Sequence, residues 1–397
     1  QFIRRCAGHL DRQYGAAFRL EAPPWKTHPT RWPDLKGAYH QLFYLRLQDL
    51  ISALRRLYSL LREATDLPYQ EALALELGES LEGLVEQSQL AEAVLQVADQ
   101  SLVYWLEVGP PRDPDDPDRD PAPTFWALKA APVDIGAALQ PHYERHASIA
   151  FVSATLALRK NDFTYFIDRL GLAERLTAPY MRQLPPVLPY DQNVFLGLAD
   201  YLTFAPNQST MASFQEELAG ELHTLLRFTD GRALGLFTAR SRMERVAAQL
   251  GPLLAKEGLP LLVQTPGISN RRLLEDFRSR TEASLFGLRS FWEGVDVPGQ
   301  SLSFVLMEKL PFPLLTDPVH RARAEKLIAQ GKSEFDDYML PLMLLQMKQG
   351  FGRLMRRETD RGAVILFDRR IHRKYYLADG CVPKFWRGSG GWSKGGE

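Results

Sequence analysis

The 397-residue chain is long enough for two or three domains, and its 45% hydrophobic, 11% aromatic and 24% charged residues describe a folded protein, which excludes disorder over most of its length. Lys plus Arg equals Asp plus Glu at 48 each, so no overall charge singles out a nucleic acid or a membrane, and two cysteines, Cys6 and Cys381, exclude a disulfide framework or a four-cysteine zinc or iron–sulfur site. No apolar run approaches the ~18–20 residues that cross a bilayer, and no secretory pattern opens the chain, so a reduced, cytoplasmic protein without membrane contact is expected; the start at Gln1 rather than Met fits a piece of something longer.

Neutrality hides segregation. Gln1 to Arg62 holds eleven Lys/Arg against four Asp/Glu, whereas Glu63 to Pro111 holds no Lys or Arg against ten acids. Two solvated helical faces explain this as well as a lobe that offers one face to a polyanion and turns away another. Residues 40–105 read as helices: Leu42, Leu45, Leu50, Leu54, Leu57, Leu60 and Leu61 recur at helical steps, and a second amphipathic stretch follows around Leu81, Leu84, Val85, Leu90, Val94 and Val97. The segment from Pro110 to Pro121, proline-punctuated and charged, predicts a solvated loop. From about Pro123 short apolar runs alternate with helical patterns. Strands are predicted at Thr124–Ala130, Ser148–Val152, Ala233–Phe237, Pro260–Val263, Ser284–Leu288, Leu302–Leu306 and Ala363–Phe367. Helices are predicted at Phe214–Phe228, Ser241–Gly251, Asn270–Arg280, Pro318–Gln330 and Leu340–Arg356. Strand and helix in alternation imply an α/β fold with a mostly parallel sheet covered by helices on both faces, plus an all-helical N-terminal domain. The glycine-rich segment 386–397 reads as a flexible tail.

In such sheets ligands bind beyond the carboxyl ends of the strands, and four segments carry chemistry. Ser153 and Thr155, at the end of an apolar run, either terminate it through local hydrogen bonds or link two parts of a site. Thr238 and Ser241 sit where a helix N-cap belongs, and the N–H groups there also suit a phosphate. In Ser290-Phe-Trp292-Glu293-Gly294-Val-Asp296-Val-Pro-Gly299 two carboxylates bracket a glycine and could meet ribose hydroxyls or a cation, while Trp292 and Phe291 could stack on bases; a tight turn explains the segment equally well. The sharpest is Gln349-Gly-Phe-Gly-Arg353-Leu-Met-Arg356, in a stretch from Leu345 to Tyr376 with nine Lys/Arg against three Asp/Glu. Gly350 and Gly352 each cost a helix about 1 kcal/mol relative to Ala, and two guanidiniums three residues apart on one helix face suit the charge of a transferring γ-phosphoryl group. A surface basic helix leaves those glycines unexplained. Gly331-Lys332-Ser333 lacks the glycine five residues earlier, where Lys326 stands, so the chain holds no phosphate loop; nor does it hold Asp-Glu-x-His for magnesium.

In order and spacing these segments resemble the third to sixth motifs of the DinG/XPD-like branch of superfamily-two DNA helicases. Ser153-Ala-Thr-Leu156, Gly235-Leu-Phe-Thr-Ala-Arg-Ser241, Ser290 to Gly299 and Gln349 to Arg356 match in turn, supported by Ala131-Pro-Val-Asp134, Lys309-Leu-Pro-Phe-Pro313 and Asp368-Arg-Arg370. The resemblance implies a RecA-like fold and this organisation: an arch-like helical domain with an acidic loop at 1–121, a remnant of the first motor domain at 122–158, the second motor domain at 159–385 and the tail. It implies that Gln349, Arg353 and Arg356 act on ATP as catalytic residues, that Glu293, Gly294 and Asp296 contact ATP and couple it to DNA, and that Ser153, Thr155, Thr238, Ser241, Ser290 and Trp292 hold single-stranded or forked DNA. ATP and Mg²⁺ would be held mainly by an upstream motor domain of the same polypeptide, unwinding would run 5′ to 3′, and this chain alone would be inactive. The family's iron–sulfur cysteines precede Gln1, which leaves open whether the parent carries a cluster. A nuclease-linked relative and a non-catalytic single-strand-binding module are the alternatives.

Overall fold

The computed structural model describes residues 17–20, 41, 44–64, 67–97, 99–108, 126–176, 180–185, 187–199, 201–202, 208–265, 267–292 and 302–372. In chain order the elements are β1 (Ala17–Leu20), α1 (Leu45–Glu63), α2 (Gln70–Gln96), β2 (Leu102–Val108), β3 (Trp126–Pro132), α3 (Ile135–Tyr143), α4 (Thr164–Leu170), β4 (Val194–Leu198), α5 (Gln208–Phe228) and β5 (Ala233–Leu236). There follow α6 (Arg240–Lys256), β6 (Leu261–Val263), α7 (Asn270–Ser279), β7 (Ser284–Gly287), β8 (Phe304–Met307), α8 (Pro318–Ala329), α9 (Leu340–Phe351) and β9 (Gly362–Leu366). The chain divides into two compact units, one of residues 1–138 with 314–331 and one of 139–313 with 332–397.

In the first unit α1 and α2 form an antiparallel hairpin. Gln70 Nε2 donates to the Leu61 carbonyl near the turn (2.6 Å) and Gln48 Nε2 to Ser88 Oγ far from it (3.2 Å). Of the α1 residues only Ile51 is buried; Leu45, Leu50, Leu57 and Leu60 stay exposed. Residues 102–105, expected to be helical, are instead strand. One β-branched and two aromatic residues in Leu-Val-Tyr-Trp suit a pleat, and β2 pairs antiparallel with both β1 and β3. Helix α8 belongs to this unit: Arg19 bonds Glu325 (2.5 Å), Arg323 donates to the Pro132 carbonyl (3.1 Å), and Lys326 pairs with Asp134. Its start is capped by Asp317, which accepts from the Val319 and His320 N–H groups, with Pro318 in the first turn.

The second unit is built on a six-stranded, wholly parallel sheet of order β4-β9-β8-β5-β7-β6. Successive side chains alternate between its faces. Leu234, Leu236, Leu285, Val305, Met307, Val364 and Leu366 meet α7 and α9 through Leu273, Phe277, Met343, Leu344 and Met347. Ala233, Phe286, Leu306 and Phe367 meet α5 and α6 through Phe214, Leu218, Leu222, Val246 and Leu250. Both faces are dry, which is why these strands read as continuous apolar runs. The α/β expectation holds, and the predicted helices α5 to α9 and strands β5 to β9 all appear, most within three residues of their expected ends; α5 starts six residues earlier, α6 runs five further and α9 stops five short. Two strands differ. Val194–Leu198, which the sequence pattern did not single out, is the edge strand β4, and Ser148–Val152 forms no strand: an apolar run extends only where a neighbouring edge completes its hydrogen bonds, and among the described residues none pairs with it. The Pro110–Pro121 loop and the tail lie outside the described residues.

Helix α9 ends at Phe351 with Gly352 as its C-cap, five residues short of the predicted end. Arg353 and Arg356 therefore leave the helix and ride on the turn that leads to β9. Gly350 has a packing reason: a Cβ there would stand 2.6 Å from the Met307 methyl and 3.0 Å from the Trp292 ring. At Gly352 a Cβ would meet only ordinary contacts at 3.5 Å. Gly350→Leu is expected to lower stability by about 1–3 kcal/mol through overpacking and Gly352→Ala to leave it within about 0.5 kcal/mol, as read from urea unfolding midpoints.

Candidate functional site

Everything described here lies in the second unit. Five strands, β5 to β9, deliver polar residues to their carboxyl ends. After β5, the Thr238 N–H and hydroxyl both donate to Glu308 Oε2 (3.2 and 3.0 Å). Arg242, two residues into α6, pairs with Glu308 and also donates to the Thr238 hydroxyl. Glu308 follows β8 and is only 2% exposed, so the charge would be costly without these partners. Thr238 is thus no helix cap: Ala239 occupies the cap position of α6 without a side-chain bond, and Thr238 spends its hydroxyl on the buried carboxylate. Ser241 is exposed in the first turn of α6.

After β6, Gln264 ties three segments together. Its Oε1 accepts from the Leu288 N–H (2.8 Å), its Nε2 donates to Ser290 Oγ (2.9 Å) and Asn270 Oδ1 (3.0 Å), and its carbonyl accepts from Arg240 Nη1 (3.1 Å). After β7, Ser290 is exposed but Phe291 and Trp292 are core residues, 0% and 1% exposed. The expected stacking of these two on bases is corrected accordingly: their rings fill the space between the sheet and α9, and the Trp292 Nε1 donates to the Phe237 carbonyl (3.5 Å). Glu293, Gly294 and Asp296 lie outside the described residues.

Beyond β8, Lys309 lies over the Phe214 ring at 4.8 Å; burial lowers its pKa, against the opposing pull of Glu308. The Leu310 N–H donates to Asp368 (3.0 Å), which is gripped by both nitrogens of the Arg370 fork (2.6 and 2.9 Å). Arg370 in turn covers the Phe312 ring at 5.3 Å. The Lys309–Pro313 segment and Asp368-Arg-Arg370, matched separately in sequence, are thereby one structural joint.

The arginine turn is elsewhere. Arg353 Nε donates to the Trp292 carbonyl (3.0 Å) and to the carbonyl of Gln349 (3.1 Å). The N–H groups of Arg356 and Arg357 both donate to the buried Asp360 (2.9 and 2.8 Å), which fixes the backbone that carries Arg356 to solvent. A one-turn helix at Tyr190–Asn193 precedes β4, and Asn193 Nδ2 donates to the Glu358 carbonyl (2.7 Å). Because β4 and β9 run parallel with Val194 opposite Gly362, the two turns share the amino end of that pair. Burial raises the pKa of Tyr190, and the charges of Arg356 and Arg353 oppose the rise. Ser153 and Thr155 bond only locally among the described residues, oxygen to oxygen at 3.3 Å and Thr155 N–H to Ser153 Oγ at 3.3 Å, as in the local-bonding alternative, although no strand precedes them to be ended.

Glu308, Gln264, Asp360 and Tyr190 escaped the sequence reading. Glu308 had a signal, a carboxylate closing an apolar strand directly before Lys-Leu-Pro-Phe-Pro; the other three depend on partners 20 or more residues away or on a turn the helical pattern hid. Among the described residues no group of three or more His, Cys, Asp or Glu side chains could hold a metal ion, and no helix is long and apolar enough to cross a membrane.

Comparison with known proteins fits this geometry. Residues 222–380 match the helicase C-terminal domain family. The chain is 34% identical over 237 residues to the ATP-dependent DNA helicase YoaA of Escherichia coli (59% of this chain, 35% of that protein) and 32% identical over 302 residues to the ATP-dependent helicase DinG of Mycobacterium tuberculosis (75% and 42%). It is 29% identical over 301 residues to the 3′-5′ exonuclease DinG of Bacillus subtilis (75% and 31%). A solved XPD helicase shares the fold at a TM-score of 0.50 and 16% identity, covering 84% of this chain and 62% of that one. The chain spans less than half the length of these curated relatives. The second unit is thus a RecA-like α/β domain of a helicase. Over most of its length the chain is similar to DinG- and YoaA-type helicases, and its residues 222–380 match their C-terminal domain.

Asp368 yields a pH prediction. Burial opposes its ionisation, yet the Arg370 bonds and charge and the Leu310 N–H outweigh it and hold the carboxyl below its ordinary value. A depressed folded-state pKa contributes stability that is present above the unfolded value of about 3.9 and lost as pH falls through the folded one. Asp368→Asn is expected to cost about 2–3 kcal/mol at pH 7 and to show a shallower fall in urea midpoint than the unsubstituted chain as the pH is taken from about 5 to below 3.

Proposed function

We propose that this chain is the part of an ATP-dependent DNA helicase that supplies the second motor domain, with the helical hairpin of the first unit as its arch. The carrying observation is that Arg353 and Arg356 sit together on one turn held by Asp360 and the Trp292 carbonyl. A spread, always-charged donor pair of this kind suits the γ-phosphoryl group of ATP. In this reading an upstream motor domain of the same polypeptide holds ATP and Mg²⁺, Gln349 lies beside the arginines, and Glu293 to Asp296 couple nucleotide state to DNA. No phosphate loop is present in this sequence, which is why the chain alone is expected to be inactive. The polar row at the strand carboxyl ends, with Arg240, Ser241 and Ser290, suits the backbone of single-stranded DNA, along which the motor would move 5′ to 3′ in the cytoplasm, whereas Thr238 has given its hydrogens to Glu308.

A nuclease-linked reading has one observation in its favour, the 3′-5′ exonuclease name of the Bacillus subtilis relative. Cleavage would then be carried outside the described residues.

The test is DNA-stimulated ATP hydrolysis by the full-length polypeptide. Arg353→Ala and Arg356→Ala are each expected to lower the rate about 10³-fold or more with unchanged thermal melting, and the 397-residue chain to hydrolyse no ATP above background. Unchanged hydrolysis in both variants would remove the arginines from the mechanism.

A further inference from the structure

We propose that Gln264 is a positioning residue that builds a phosphate seat at the carboxyl ends of β5, β6 and β7, one that accepts the backbone of a nucleic acid strand and reads no base. It rests on the reading of this edge as a DNA-binding surface and adds to it a residue that none of the sequence motifs includes.

The argument is one of proton placement. The Leu288 N–H can only donate, so the Gln264 amide oxygen must face it, at 2.8 Å. That fixes the other end of the amide: Nε2 spends one N–H on Asn270 Oδ1 and the other on Ser290 Oγ. The Ser290 oxygen is therefore an acceptor within the protein, and its own hydrogen is left for an acceptor beyond it. Among the described residues Ser290 has no acceptor of its own, and its side chain is exposed. Next to it, the Gln264 carbonyl anchors one nitrogen of Arg240, the first residue of α6, which follows β5 on the far side of β7. Glu244 pairs with that same nitrogen at 3.7 Å, and among the described residues the other guanidinium nitrogens make no hydrogen bond, which leaves their N–H groups to a ligand. One residue thus presents a hydroxyl hydrogen and a cationic fork together. A donor-only pair with a positive charge matches a phosphate oxygen, which every nucleotide carries.

The conformations are locked at little entropic cost to the ligand, because Gln264 sits at the end of β6, where its own N–H is tied to the Phe286 carbonyl at 2.9 Å. Strand ends are rigid platforms, and a seat built there needs no rearrangement on binding.

The experiment is anisotropy of a labelled oligothymidylate titrated with the 397-residue chain at several salt concentrations, repeated with an oligomer whose backbone is neutral methylphosphonate. Gln264→Ala is expected to weaken binding to the natural backbone about tenfold and to lower the salt slope by about one, as Arg240→Ala should do directly. Gln264→Glu keeps the bond from Leu288 but takes the Ser290 hydrogen for itself, and should be at least as damaging. Ser290→Ala, on an exposed side chain, should weaken binding severalfold, and combined with Gln264→Ala it should cost less than the product of the two effects. On the neutral backbone the variants and the unsubstituted chain should converge. Equal affinity of all variants for the natural strand overturns the seat while leaving the DNA-binding reading intact. An undiminished penalty on the neutral strand shows that Gln264 serves base contacts instead. Failure of the unsubstituted chain to bind either oligomer overturns the seat and the reading beneath it together.

Discussion

Both faces of the six-stranded sheet are closed by helices, and that constraint dictates where this molecule keeps its polar groups. Side chains on the faces of β5, β7, β8 and β9 are almost all out of reach of water, so a charge placed there would go unsolvated and unpaired. Polar residues are driven to the strand ends, where the backbone leaves the sheet and neighbouring strands lie about 5 Å apart. At that spacing a side chain leaving one strand reaches the loop of the next. Gln264 spans β6 to β7 and β5, and Glu308 joins β8 to β5. The network at the carboxyl edge is thus a product of parallel packing, before any ligand is considered.

The same constraint explains how much of the fold could be read from sequence. Strands buried on both faces appear as short apolar runs, and the runs Ala233–Phe237 and Leu285–Leu288 are bounded by polar residues, Arg232 and Thr238 in one case, Ser284 and Arg289 in the other. The edge strand β4 reads less clearly, since Phe195 faces solvent and Gly197 interrupts the apolar pattern. Residues 102–105 were drawn into a helical region by their apolar content, and only the pairing with β1 and β3, which is non-local, decides for a strand.

The site was legible by residue type and less so by geometry. Arg353 and Arg356 were found through spacing, but spacing alone placed them on a helix, whereas the chain turns at Gly352 and is then held by Asp360. Trp292 reads as an exposed aromatic beside a polar turn; its environment is settled by Gly350, which opens just enough room for the indole against α9. Glycine there serves packing, so glycine in a helical pattern did not by itself announce a ligand. Gln264 is an ordinary polar residue in sequence and acquires its importance only from having Leu288, Ser290, Asn270 and Arg240 around it.

Helix α8 carries a consequence for how the polypeptide is made. The first unit is discontinuous: it is completed by residues 314–331, which follow five strands of the second unit in the chain. A ribosome that has released everything up to Pro313 has delivered β1, β2 and β3 but not the helix whose Arg323, Glu325 and Lys326 clasp them. That antiparallel sheet therefore waits, partly uncovered, until most of its companion has emerged, and no single proteolytic cut or gene truncation between the units yields both of them whole.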